Sequence, residues 1–383
     1  MRSLLRSVVV MWLALACLAL AQQPAPARLT LMVAMTPQEL ATFRPALEAL
    51  DAAHPEFEVE LEPVPQGALP ERANARLAAG TLPDVVRVEG LSAQQWIRRG
   101  AFLELTGRPE LAALDLDDYL PGVLAPFSWQ GALWALPDTA SPDLLYFNKA
   151  MFDAAGLDYP TDAWTYEDMR RAAVLLTRDA NGNGPTDPGF DPERVTQWGW
   201  NGSLTHFWQR HLVRAFGADW CADEHCTTFD ATDPGVVAAA QWWADLVQED
   251  HAGLYDPYSG AQVGVPGDPF QAGAAAMGYN GFFIVGQLND VGGIDYGIAQ
   301  PLLGVDGQRH TPLSTNGYAV SATSQHPEAA LALALALTEP GFLAATWGRP
   351  GHAVPARRSA APSLLNPARA PENQEAILAA MEY

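Results

Sequence analysis

The chain has 383 residues, of which 49% are hydrophobic and 17% are charged, so it can bury a large core and is not expected to be disordered. Its length favours two lobes or domains over one. Lysine and arginine together number 22 against 44 aspartates and glutamates, and this formal charge of −22 argues against nucleic acid as a partner.

The first 21 residues are typical of a secretory signal peptide. Arg2 and Arg6 precede an uninterrupted apolar run, Val8–Ala21. As a helix this run would rise only about 21 Å, less than the roughly 30 Å of a bilayer core. We therefore expect cleavage before Gln22 and a mature protein in the periplasm or outside the cell. The alternative is lipidation at Cys17, which would anchor the protein to the membrane.

Strands and helices are predicted to alternate from residue 28 onward. Apolar and polar residues alternate in 57–61 but only weakly in 28–34, which is typical of a buried strand, and apolar residues recur at helical spacing in 37–53. The predicted order is strand 28–34, helix 37–53, strand 57–61, helix 69–79, strand 84–88 and helix 92–99. This order indicates an α/β fold with a mostly parallel sheet flanked by helices, and it places a ligand at the carboxyl ends of the strands.

The middle of the chain is predicted to be rich in helix. Helices dominate the predicted structure of residues 164–275. Alanine and leucine alternate over Ala329–Leu337, which could be read as a strand. Pro327 and Glu328 suit the first turn of a helix, so a buried helix is predicted instead.

Two cysteines, Cys221 and Cys226, lie outside the leader and are separated by four residues. A disulfide between them would close a small loop in an oxidising compartment. A metal site that includes His225 would lack a second pair of ligands. We therefore expect the disulfide.

Residues 179–187 resemble the front of a calcium-binding loop. Oxygen-bearing side chains stand at its first, third, fifth and ninth positions, which are Asp179, Asn181, Asn183 and Asp187. Phe190 stands at the twelfth position, where a bidentate glutamate would complete the site. An ordinary turn is therefore favoured over a calcium site, and no other cofactor is expected.

Several short motifs, taken in order, resemble the extracellular solute-binding proteins of ABC importers, the family that includes maltose- and other sugar-binding proteins. The motifs lie at 82–86 (LPDVV), 132–137 (ALWALP), 145–149 (LYFNK), 161–168 (TDAWTYED), 296–299 (YGIA), 316–320 (NGYAV) and 351–357 (GHAVPAR). No single motif is specific, and their order along most of the chain carries the resemblance.

The resemblance implies two α/β lobes joined by strands that cross between them, with a ligand cleft between the lobes. By position, the crossings fall near Pro137–Ser141, Ser314–Gly317 and Gly348–Val354. The implied amino-terminal lobe comprises residues 22–138 and 316–347, and the carboxy-terminal lobe comprises residues 139–315 and 348–383.

Carried over residue by residue, the resemblance also implies a ligand site. Phe283 follows Asn280 and Gly281 where the family usually has a stacking tryptophan, and Trp200 with Asn201 would form a second wall. Polar residues at strand ends and crossings complete the candidate set. They are Glu89 after its strand, Asp138, Ser141 and Asp143 on the first crossing, Asn316 and Tyr318 on the second, and Arg349 on the third.

The implied function is to bind a mono- to oligosaccharide by hinge closure, as a monomer and without catalysis, and to deliver it to the membrane subunits of an ABC permease. The same fold carrying a polyamine, glycerol phosphate or iron is the main alternative. A secreted glycoside hydrolase is a second alternative, but the sequence contains no Gly-x-Ser-x-Gly, His-Glu-x-x-His or glycine-rich phosphate motif.

Overall fold

A computed structural model describes residues 25–65, 67–201, 208–221, 228–254 and 268–382. The strands are β1 (Ala27–Ala34), β2 (Phe57–Val64), β3 (Val85–Glu89), β4 (Ser128–Trp129), β5 (Ala132–Leu133), β6 (Leu136–Asn148), β7 (Arg178–Asp179), β8 (Val195–Asn201), β9 (Ala275–Gly281), β10 (Tyr296–Ala299), β11 (Leu313–Val320) and β12 (Val354–Pro355). The helices are α1 (Pro37–Ala53), α2 (Leu69–Ala78), α3 (Gly90–Ile97), α4 (Lys149–Ala155), α5 (Tyr166–Leu176), α6 (Trp208–Ala215), α7 (Pro234–Gln248), α8 (Ile284–Val291), α9 (Pro327–Leu337), α10 (Pro340–Leu343) and α11 (Glu375–Ala380).

The early alternation of strands and helices is confirmed, and local chemistry explains where the helices begin. Helix α1 opens with a capping box, in which Thr36 Oγ1 accepts from the Glu39 amide at 3.2 Å and the Glu39 carboxylate accepts from the Thr36 amide at 2.7 Å. Phe43, Leu47 and Leu50 then form its buried face. Helix α9 is confirmed as well, since its alanines and leucines lie mostly in the core.

Within the described residues, the main sheet has the strand order β2-β1-β3-β11-β6-β9-β8-β7, and β10 and β12 also pair with β6. As predicted, the pairs β1–β2, β1–β3 and β8–β9 are parallel. Strand β11 pairs antiparallel with β3 and β6, and β6 pairs antiparallel with β9. The sheet is therefore mixed, because β11 runs antiparallel to both of its neighbours, β3 and β6.

Three clusters of buried side chains flank this sheet. The first joins β1, β3, α3 and α9, the second joins α5, α7 and β9, and the third joins β6 with α8 and α11. The third cluster also contains Tyr119, Leu120 and Val123, from the segment before β6.

No single described helix is long and apolar enough to span a bilayer. One pair of helices bent by 54°, Pro327–Leu337 with Pro340–Gly348, reaches that size and composition only when the two are taken together.

A buried ion pair lies beside the start of β6. Arg87 Nε donates to Asp138 Oδ2 at 2.6 Å, and the two side chains are 7% and 0% exposed. Arg87 Nη2 also donates to Thr139 Oγ1 at 3.0 Å, and its guanidinium lies 4.3 Å from the centre of the Trp347 ring. Burial disfavours the charged guanidinium, but the Asp138 carboxylate, with smaller contributions from Tyr318 and Glu39, outweighs this effect, so the pKa of Arg87 is raised. The pair thus links β3 to β6 across the intervening strand β11.

We predict that Arg87→Met lowers the free energy of unfolding by about 3–5 kcal/mol, because it leaves the Asp138 carboxylate buried without a counter-charge. The double variant Arg87→Met/Asp138→Leu should lose much less, since neither charge then remains buried. Urea denaturation followed by circular dichroism measures both. Arg28→Met, which removes an exposed ion pair with Glu58, is the control and should cost less than about 1 kcal/mol. A double variant as unstable as the single one would contradict this account.

Candidate ligand-binding site

Polar side chains from three adjacent strands line one face of the sheet where β6 passes from one core to the next. Residues directly opposite each other on paired strands share a face, and the registers pair Glu89 with Asn316, Asn316 with Thr139, and Ser314 with Ser141. Asp143 lies two residues beyond Ser141 and so shares that face. We call this set the polar row: Glu89, Asn316, Ser314, Thr139, Ser141 and Asp143.

Two members of the polar row have polar groups that no described residue satisfies. Ser141 is 6% exposed, and its buried Oγ has no hydrogen-bond partner. Asp143 is 3% exposed, and its hydrogen bonds from Thr311 Oγ1 and to Pro312 involve only its main chain. Burial raises the pKa of the Asp143 carboxyl group well above its ordinary value. Buried polar groups normally have hydrogen-bond partners, so the side chains of Ser141 and Asp143 retain unused capacity to form hydrogen bonds.

An aromatic ring lies directly beside these two groups. Gly281 pairs with Asp143 across β6 and β9. A methyl group at position 281 would lie 2.4 Å from the Phe283 ring and 3.0 Å from Ser141 Oγ, so only glycine lets the ring approach. Phe283 itself remains 48% exposed. The site therefore combines an open aromatic face with unpaired hydrogen-bonding groups.

Asp138 and Tyr318, two further predicted site residues, are fully buried next to the ion pair. Asp138 accepts from Arg87 and from Thr139 Oγ1, so its oxygens already have partners. Tyr318 is opposite Arg87 in the register of β11 and β3, and its side chain is 0% exposed. Both residues therefore lie in the buried cluster around Arg87, which adjoins the polar row through the hydrogen bond from Arg87 to Thr139.

The remaining predicted residues do not join the polar row. Trp200 packs edge-on against Tyr279 at 5.6 Å in the second core cluster, and the Asn201 amide donates to Asp268 at 3.1 Å. Asn280 pairs with Leu144 on the opposite face and accepts from the Gly281 amide. Arg349 is exposed. Their predicted contacts with a ligand stay predictions.

Sequence reasoning missed Arg87, Thr139 and Ser314. Arg87 could have been found, because a single cation inside an otherwise apolar strand indicates a buried ion pair. Thr139 and Ser314 carry no such signal, since only the strand register aligns them with Asn316 and Ser141.

The loop over 179–187 is closed by hydrogen bonds to its own main chain. Asp179 Oδ1 accepts from the amides of Asn181 and Asn183 at 2.8 and 2.9 Å, and Asp187 Oδ2 accepts from Gly184 at 2.7 Å. Across the described part of the chain, no group of three or more histidine, cysteine, aspartate or glutamate side chains is arranged to hold a metal ion. Calcium binding at this loop stays a prediction.

Cys226, the predicted disulfide partner of Cys221, lies outside the described residues. The predicted disulfide therefore stays a prediction.

A cavity of about 350 Å³ lies beside α8. Its walls come from α8 (Val285, Gly286), the turn before β12 (Gly351) and the tail before α11 (Arg369). Arg369 Nη1 donates to the Arg349 carbonyl at 2.9 Å, which ties the tail to the turn before β12. The cavity shares no residue with the polar row.

Its mixed sheet, the buried crossing strand and the polar row between separate cores give this α/β chain the two-lobed periplasmic-binding-protein fold. A family model described as "Bacterial extracellular solute-binding protein" matches residues 36–342, and the chain belongs to that family.

Solved structures show the same fold. An ABC substrate-binding protein from Listeria monocytogenes, solved with cycloalternan, superposes with a TM-score of 0.77 at 22% identity, covering 94% of this chain and 87% of that one. A Mycobacterium tuberculosis protein, solved with glycerophosphocholine, gives a TM-score of 0.72 at 19% identity, covering 89% and 84%.

A curated relative shares part of the sequence. The mannitol-binding protein of Pseudomonas aeruginosa is 27% identical over 209 residues, which are 54% of this chain and 45% of that protein. The match thus spans less than half of the relative.

We predict that Asp143→Asn raises the thermal midpoint at pH 7 by about 2 °C or more. The pKa of Asp143 is raised in the folded state, so its contribution to stability is complete below the unfolded pKa of about 3.9 and is lost as pH rises. The gain from the variant should therefore shrink toward pH 4. Scanning calorimetry at several pH values measures it.

The matched control is Asp158→Asn, at an exposed aspartate, which should leave the midpoint unchanged at every pH. An Asp143→Asn gain that is constant with pH would show that ionisation of this group is not its cause.

Proposed function

We propose that this protein binds an uncharged sugar or polyol between its lobes and delivers it to the membrane subunits of an ABC importer. One observation carries the proposal: the half-exposed Phe283 ring lies beside the unpaired Ser141 hydroxyl and Asp143 carboxyl group. Sugar C–H faces pack against aromatic rings, and sugar hydroxyls supply the missing hydrogen bonds.

The charges around the site favour a neutral ligand over the alternatives. A phosphate-bearing solute would require convergent cations, and Arg87 is already occupied by Asp138 and Thr139. A polyamine would require several free carboxylates, and the pairing of Asp138 removes one of the three acidic residues available. The relative named for mannitol agrees in ligand class.

In this proposal the lobes comprise residues 22–138 with 316–347 and 139–315 with 348–383, and they close about the crossing strands. Ligand that contacts both lobes stabilises the closed form. We further propose binding without turnover by a monomer that is exported through its leader and carries a Cys221–Cys226 disulfide.

Titration of the mature protein with mannitol, monosaccharides and oligosaccharides should show saturable binding to at least one of them. A micromolar dissociation constant, about −8 kcal/mol, is expected by isothermal titration calorimetry. Small-angle scattering should show a smaller radius of gyration with the bound ligand, as closure requires. Saturable binding of spermidine or glycerol phosphate with no response to any neutral sugar would favour the alternative solutes. Product formed from a glycoside would favour a hydrolase.

Replacement of Phe283 by alanine should weaken binding of the best ligand about tenfold or more, because the stacking face is lost. The cost in stability should be small, since the ring is 48% exposed. Phe283→Trp should retain binding. Phe229→Ala is the matched control, because Phe229 is also an exposed phenylalanine, at 68%, and packs near Trp220 away from the polar row. Equal losses in the two alanine variants would remove Phe283 from the site.

A further inference from the structure

The buried carboxyl group of Asp143 faces the site without any cation to balance it. No described side chain forms an ion pair or hydrogen bond with its oxygens, although the residue is only 3% exposed. The adjacent unpaired group is the Ser141 hydroxyl, which carries no charge. An ionised carboxylate in this position would lose its hydration without compensation.

The titratable groups around Asp143 do not supply a positive charge. On the strands these groups are the Tyr146 and Tyr279 hydroxyls, which are neutral because burial raises the pKa of both. His211 packs against Tyr279 at 5.5 Å, and burial, with His310 adding to it, lowers the pKa of His211 to about 3, so that ring is neutral too.

The segment that precedes Thr311 carries two basic residues, Arg309 and His310. Arg309 donates to the main-chain carbonyls of Pro301 and Asp162, and His310 pairs with Asp306 at 3.0 Å. From the first half of the sheet, Glu89 adds only a further negative charge. The groups around Asp143 are therefore neutral or acidic, or are basic side chains whose hydrogen bonds go to other residues.

We propose that Asp143 is a specificity-determining residue that meets the ligand as a neutral carboxylic acid, whose O–H donates a hydrogen bond to a ligand oxygen while its carbonyl oxygen accepts from a ligand hydroxyl. This inference rests on the proposed function and adds that the ligand is an uncharged polyol presenting vicinal hydroxyl groups. With Ser141 next to it, the acid can address two neighbouring hydroxyls beside the Phe283 ring. A site of this kind selects against ligands that lack those hydroxyls, because its buried polar groups would then stay unpaired.

The test compares wild type, Asp143→Asn and Asp143→Ala in calorimetric titrations from about pH 5 to about pH 9 with mannitol and the best-binding sugar of the panel. Wild-type affinity should fall as pH rises through the raised pKa, because the donor proton is lost. Asp143→Asn keeps a neutral donor and acceptor, so it should bind within a few-fold of wild type and show no pH dependence. Asp143→Ala should bind about tenfold more weakly at low pH. Asp158→Asn should follow wild type throughout.

The outcomes separate this inference from the proposed function. Wild-type binding of a polyol that Asp143→Ala leaves unchanged overturns the role of Asp143 and leaves sugar binding intact. Affinity that rises with pH, with a large loss in Asp143→Asn, shows a charged carboxylate and also overturns the inference. Selective binding of an amine such as glucosamine would show that the ligand supplies a counter-ion to a charged Asp143 carboxylate, and it too would overturn the inference. If wild type binds no member of the panel at any pH, both proposals fall together.

Discussion

Strand β6 is hydrogen-bonded to β11 over its first half and to β9 and β10 over its second half, and every one of its residues is buried. One continuous strand therefore belongs to both halves of the sheet. Because its main-chain groups are paired along this length, its register is fixed on both sides. The spacing of Thr139, Ser141 and Asp143 relative to their neighbours follows from that constraint.

Burial of β6 imposes a cost on each polar side chain that it carries. Near its start the cost is met within the protein, because Asp138 pairs with Arg87. Further along, Ser141 and Asp143 receive no partner from the described residues. The same strand thus contains a polar cluster that is satisfied within the protein and a second one that no described residue satisfies.

Much of the fold was predictable from local sequence. The strands and helices of the first hundred residues and helix α9 follow from periodicity and from proline at the first helical turn.

The candidate site was predictable only in part. Glu89, Ser141, Asp143, Phe283 and Asn316 come together, whereas Trp200 and Asn201 lie in or beside the second core cluster. Aromatic residues serve core and binding surface alike, so composition could not assign Trp200.

The sequence by itself determined the order of the elements, the acidic surface charge and the family resemblance, because periodicity, composition and short motifs are local properties of the chain. Only the tertiary structure decided that Asp138 is neutralised by Arg87 while Asp143, five residues later, has no counter-charge. It also made the sheet mixed and brought the Phe283 ring over Gly281 beside Ser141. These outcomes depend on contacts between residues far apart in the chain, and local sequence patterns do not encode which distant strand supplies the partner.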